Sequence, residues 1–104
     1  MVVLEVDPAE ARRIARAYMA MYLERPNYFN NLRRLGFTEE DWSNGGSDRV
    51  VDAIVAWGDE SAIASRLQQH RDAGADHVCI QVCQADPRAS AVPVLERLAP
   101  AILG

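Results

Sequence analysis

Asp72-Ala73-Gly74-Ala75-Asp76-His77-Val78-Cys79-Ile80-Gln81-Val82-Cys83 is the stretch on which the reading of this chain turns. A polar helix end runs into Gly74, which can take the left-handed conformation that closes a helix. The run from His77 to Cys83 holds β-branched and thiol side chains and no acid or arginine, and Val78, Ile80 and Val82 favour a pleated, enclosed setting. The pattern predicts a helix handing over to a buried strand from His77 to Cys83. Period two sets His77, Cys79, Gln81 and Cys83 on one face and Val78, Ile80 and Val82 on the other. At about 3.3 Å per residue, Cys79 and Cys83 stand about 13 Å apart, beyond the roughly 7 Å that a disulfide spans. Both are expected to be reduced, buried thiols. The same separation keeps them from sharing one zinc ion, so no metal site is expected from them with His70 and His77.

Upstream, the helix entering this stretch opens at Asp59, after Gly58, and carries Ile63, Leu67 and His70 on one stripe. Before it, Ser47 and Asp48 start a helix through Val50, Val51, Ile54, Val55 and Trp57, apolar on much of its circumference and expected to be deeply buried. Ser43-Asn44-Gly45-Gly46 reads as a hinge, since it lacks the spaced glycines of a dinucleotide loop. Thr38 caps a single turn whose acids Glu39, Glu40 and Asp41 sit at its positive end, where dipole compensation explains them without catalysis. Trp42 and Trp57 read as core or interface anchors. Asn27 to Leu35 forms a short helix ended by Gly36, and Arg25-Pro26 separates it from the first helix, Pro8 to Leu23. That first helix has Asp7 as cap, Pro8 at its first position and Glu10 where a capping box puts its acid. Ile14, Tyr18, Met21 and Tyr22 form its core stripe, with Arg12, Arg13 and Arg16 facing solvent. Val2 to Val6 reads as a strand.

Downstream, Gln84 to Arg88 is a loop in which Asp86 and Arg88 belong to a solvated Asp-Pro turn. Ser90 then caps a final helix bearing Val92, Leu95, Leu98 and Ile102. Pro93 is tolerated in its first turn, whereas Pro100 predicts a kink or an end near Ala99.

The 104 residues make one domain's length, and a hydrophobic fraction of 49% is enough for an ordinary core. The formal net charge is -4, with every positive side chain an arginine, which argues against a non-specific nucleic-acid binder. No stretch has the character of a secretory leader or a membrane span, so a cytoplasmic location is the default expectation.

Two strands joined through helices should lie parallel, with a right-handed crossover. A parallel strand enclosed on both faces also needs neighbours on both edges, because unpaired buried backbone groups are costly. One short partner strand does not satisfy it. The expected class is therefore α/β, mostly helical with two short parallel strands. Either these make an exposed ribbon, or their other partners lie on sequence outside this chain, as in a (β/α)8 TIM barrel of about 250 residues, of which this chain would supply about two units.

Several motifs carry a resemblance. Tyr28-Phe29-Asn30-Asn31, Arg34 to Asp41 (Arg-Leu-Gly-Phe-Thr-Glu-Glu-Asp), Gly45 to Asp52 (Gly-Gly-Ser-Asp-Arg-Val-Val-Asp), Trp57-Gly58-Asp59 and Ala73 to Val78 follow one another in order. Together they resemble the C-terminal part of the luciferase-like monooxygenase family, in the branch that uses the deazaflavin coenzyme F420. The resemblance implies a (β/α)8 barrel in which Val2 to Val6 is the seventh strand and His77 to Cys83 the eighth. It implies hydride transfer between coenzyme F420, or alternatively FMN, and a small organic substrate. The family's N-terminal strands, which form most of the flavin pocket and the catalytic positions, have no counterpart here. No catalytic residue is therefore assigned, and the chain is expected to be inactive alone.

In such a barrel the active site lies at the carboxyl ends of the strands. Gln81, Cys83 and Gln84 are accordingly the expected cofactor-binding positions, and His77, at the strand's start, is a poor one. A second reading is a small helical dimerisation or protein-binding module without catalysis. The apolar Val50 to Trp57 helix motivates it, together with a possible homodimer.

Overall fold

The computed structural model describes residues 1–104 and is an α/β chain, mostly helical, with two short parallel strands. Strand β1 spans Val2–Leu4 and leads through α1 (Pro8–Leu23), α2 (Pro26–Arg34), α3 (Glu39–Trp42), a 3-10 turn (Ser43–Gly45) and α4 (Asp48–Ile54) to β2 (Ala56–Gly58). Helices α5 (Glu60–Asp72) and α6 (Val92–Leu103) complete it. No helix is long and apolar enough to cross a membrane.

The caps explain the boundaries. Asp7 accepts the Glu10 N–H at 3.0 Å, and Asp59 accepts the Ala62 N–H at 2.8 Å, each filling an orphan donor of a first helical turn. The capping box expected of Glu10 does not close. Its carboxylate is bound by Arg13 at 2.6 Å and 2.8 Å, and Glu5 accepts the Asp7 N–H instead. That turn also explains why β1 stops at Leu4 rather than Val6.

The second strand is not where the sequence placed it. Val2, Val3 and Leu4 pair in parallel with Ala56, Trp57 and Gly58, residues expected to continue the helix from Ser47. Helix α4 ends at Ile54 because Val55 turns extended (φ -111°, ψ 127°). Arg66 reaches across to donate to the carbonyls of Asp52 and Ala53, satisfying the acceptors that a helix end leaves free. The His77–Cys83 segment forms no regular strand. It touches β1 through a single parallel bridge, Val2 to Val82, made by Val2 N–H to Gln81 C=O at 2.8 Å and Cys83 N–H to Val2 C=O at 2.9 Å. A three-residue β1 has no further backbone to offer, so residues 77–81 run without a ladder. The apolar alternation holds nevertheless, with Val78, Ile80 and Val82 packing against the α5 and α6 core.

The order across the sheet is thus β2, β1, then Val82. The link from β1 to β2 and the link from β2 to Val82 run in opposite directions across β1, so right-handed connections put their helices on opposite faces. The two cores follow this layering. Val3, Val55 and Cys83 pack with Ala11, Ile14, Ala15 and Met19 of α1 and with Val50 and Val51 of α4. Val2 and Ala56 pack with Ile63 and Leu67 of α5 and Leu98 of α6. Helices therefore cover both faces, whereas a barrel strand turns one face to the lumen.

Three further expectations are corrected. Arg12 and Arg16 do not simply face solvent: Arg12 holds Asp52 at 2.8 Å and 3.1 Å, Arg16 pairs with Asp48 at 2.5 Å, and both tie α1 to α4. His70 is exposed although its stripe-mates Ile63 and Leu67 are buried, since the helix is already leaving the core by that turn. Helix α6 continues through Pro100 to Leu103; the hydrogen bond lost there lies on an exposed side of the helix, where Glu96 and Pro100 are both open to solvent.

Asp41 is the one buried charged residue. It accepts the Thr38 N–H at 2.9 Å and the Ser47 hydroxyl at 2.7 Å, with Arg49 at 3.2 Å, pinning α3 to the start of α4. The Thr38 N–H, then Ser47, then Arg49 hold its carboxyl below the ordinary carboxylate range. Asp52 is lowered as well, first by Arg12 and then by the Trp57 indole N–H at 2.9 Å. A lowered carboxyl contributes stability above its unfolded pKa, near 4, and loses it as pH falls through the folded value. The urea midpoint is expected to drop between pH 7 and pH 3. Asp41→Asn should lower it at pH 7 and narrow that gap; a gap as wide as in the parent chain would contradict this role.

Candidate functional site

A crevice of about 210 Å³ lies at the carboxyl end of β1, where Leu4 and Glu5 meet Cys83, Gln84, Glu10 and Val94. It brings together two of the three residues expected at a cofactor site. Cys83 is 2% exposed, enclosed by the α1 and α4 core, and burial pushes its thiol pKa up. A thiol held neutral in this way is a packing group rather than a nucleophile. Gln84 is half-buried. Its backbone N–H donates to the Tyr18 hydroxyl at 3.3 Å, and its side-chain amide donates to the carbonyls of Ala89 and Ser90 at 3.2 Å each. These bonds close the loop that leads to α6 and commit the amide nitrogen to it.

Gln81 does not line the crevice. Its side chain is exposed, while its carbonyl is used by the bridge to Val2. Cys79 is an exposed free thiol, contrary to the expected burial, because the face it shares with His77 and Gln81 has no neighbouring element over it. Asp86 and Arg88 form the expected turn, with the Asp86 carboxylate accepting the Arg88 N–H at 2.9 Å.

The crevice holds carboxylates and an amide but no base aligned on a nucleophile. Glu10, the nearest acid with a shifted pKa, is lowered by its hydrogen bond to Arg13 and stays ionised. Nowhere do three or more His, Cys, Asp or Glu side chains gather closely enough to hold a metal ion. Such a lining can hold and orient a polar ligand by hydrogen bonds with Gln84 and to the Glu5 and Glu10 carboxylates.

Sequence reasoning missed the largest concavity. A groove of about 410 Å³ opens between the end of α1 and α2, with Met19, Tyr22, Tyr28, Leu32, Leu35 and Ile54 among its walls. The signal was present in the spacing of Tyr28, Leu32 and Leu35 at i, i+4 and i+7, one face of a helix. It pointed to core packing, yet Tyr28 and Leu35 are exposed because nothing in the chain covers that end of α2.

Compared with known protein families, with curated proteins and with solved structures, the chain finds no match.

Proposed function

We propose that this chain is the C-terminal segment of a luciferase-like oxidoreductase barrel. In that reading the whole protein transfers hydride between coenzyme F420, or FMN, and a small organic substrate, and this segment is inactive by itself. The observation that favours it is the direct parallel contact of the expected seventh and eighth strands, with Cys83 and Gln84 beside the carboxyl end of β1. That edge is where a (β/α)8 enzyme keeps its ligand-binding residues. The open outer edge of residues 77–81 leaves room for a further strand. In a closed barrel the face carrying Val3 and Cys83 looks inward, so the reading requires α1 to leave that face when the other strands are in place.

Two measurements test it. Coding DNA immediately upstream of Met1 should contain six further strand and helix units in frame; an unrelated sequence there overturns the segment reading. Titrating the 104-residue chain with F420 or FMN, followed by the cofactor's absorbance, should give no saturable binding. Micromolar binding with substrate turnover would overturn the claim of inactivity alone. The apolar groove favours a second reading, a small binding module, because exposed apolar concavities mark recognition sites.

A further inference from the structure

We infer that two copies of this chain join along the outer edge of residues 77–82, making one continuous sheet about a two-fold axis at Cys79. The bridge to β1 uses the Gln81 C=O and the Cys83 N–H, so the N–H and C=O of Val82, between them, point away from β1. Burial alternates from His77 to Val82, the mark of an extended run, which turns the same groups of Val78 and Ile80 outward as well. The N–H and C=O of all three residues are without a backbone partner. Natural sheets blunt such an edge with lysine, proline or an inward-pointing charge. From His77 to Cys83 there is no lysine, arginine, acid or proline. The edge is open to another extended backbone.

The helix above the edge selects which backbone. Helix α5 packs against β2 and β1, and α6 lies beside α5, so α6 stands over residues 78–82 at the margin of the sheet. Arg97 of α6 reaches Glu60 of α5 at 2.7 Å. Leu95, about 200° around the helix from Arg97, therefore faces away from α5 and out over the open edge. Val92 and Leu103 turn to the same side, and all three are exposed. An occupant must offer an extended backbone and, on the same face of the sheet, an apolar helix flank. A second copy offers both. A two-fold axis perpendicular to the sheet pairs the edges antiparallel and keeps both α6 helices on one face, flank against flank. A lone peptide strand would satisfy the edge and leave the α6 stripe open.

The run without a backbone N–H bond, residues 76–82, has Cys79 at its centre. In the register centred there, Val78 and the second copy's Ile80 exchange both N–H···O=C bonds, and the reciprocal pair does the same. Cys79 then meets its own likeness at a non-hydrogen-bonded position, with Cα atoms about 4.5 Å apart. The inference concerns the chain by itself and does not rest on the oxidoreductase reading, in whose closed barrel this edge meets a further strand.

Sedimentation of the 104-residue chain should show a monomer–dimer equilibrium at micromolar concentration. Cys79→Lys sets two like charges directly opposite and should raise the dissociation constant about tenfold, whereas Cys79→Ser should leave it unchanged. Leu95→Asp should weaken the dimer as well, through the α6 contact. Both positions are exposed, so circular dichroism of each variant should match the parent. Oxidised glutathione should join two copies through a Cys79 disulfide, being itself reduced, while the buried Cys83 stays a thiol. A monomer at every concentration, a dimer as tight in Cys79→Lys as in the parent, or one untouched by Leu95→Asp would overturn the inference. None of these outcomes bears on the upstream DNA that tests the oxidoreductase reading.

Discussion

Gly58→Ala is expected to destabilise the chain by about 3 kcal/mol, combining the strain of a left-handed residue with a steric clash. Gly58 ends β2 at φ +134°, a conformation that side chains rarely adopt, and a Cβ built there falls 2.8 Å from the Cβ of Ala62. The geometry has a purpose: it lets α5 begin directly after β2, with Asp59 as its cap. Equilibrium urea unfolding of the variant measures the loss. Adding Ala62→Gly removes the clash but not the backbone strain, so the double variant should recover only part of it. A Gly58→Ala chain as stable as its parent would mean that the β2 to α5 turn has another geometry.

Ile63→Ala should cost about 3 kcal/mol, within the usual range for emptying a buried aliphatic site. Ile63 is 0% exposed and central to the core between the sheet and the α5–α6 pair. Met19→Ala should cost a similar amount from the opposite core. The informative experiment is the shape of the transition. Val2 belongs to one core and its neighbour Val3 to the other, so each single variant should still unfold in one cooperative step. The double variant, losing about 6 kcal/mol from a stability of roughly 5–15 kcal/mol, should be largely unfolded or nearly so. Two separate transitions in Ile63→Ala would show that the layers fold independently and that β1 does not couple them.

How far these features were legible differs from element to element. Helix α1 was readable from Asp7-Pro8, and α5 from Asp59 and Gly74, because caps and breakers act within a few residues. Gly74 does take positive φ, at +108°. Strand β2 was not readable. Val55-Ala56-Trp57 continues the apolar period of Val50 and Val51, and what ends the helix is distant: the Ala56 N–H turns to the Met1 carbonyl beside β1, and Arg66 takes the carbonyls of Asp52 and Ala53. The layering was hidden for a related reason: strand order is a property of pairings across fifty residues, which no local pattern carries. At the candidate site, the period-two reading set Cys83 on the face away from Val78, Ile80 and Val82, and the two sets do pack into opposite cores. It misjudged Cys79, for burial depends on a covering element and not on alternation. Tyr28, Leu32 and Leu35 announced an apolar face without announcing that two of the three would remain uncovered.

The position of β1 in the middle of the sheet constrains how the polypeptide is made. Val2 and Val3 leave the ribosome more than fifty residues before Ala56, their first pairing partner, and some eighty before Val82. At about 5–20 residues per second, this strand waits roughly three to ten seconds for β2. During that interval a β-branched segment is open to chaperones and to neighbouring nascent chains. Every sheet contact in this chain is long-range, so the late synthesis of α5 and α6, and not the early helices, times the arrival of the native state.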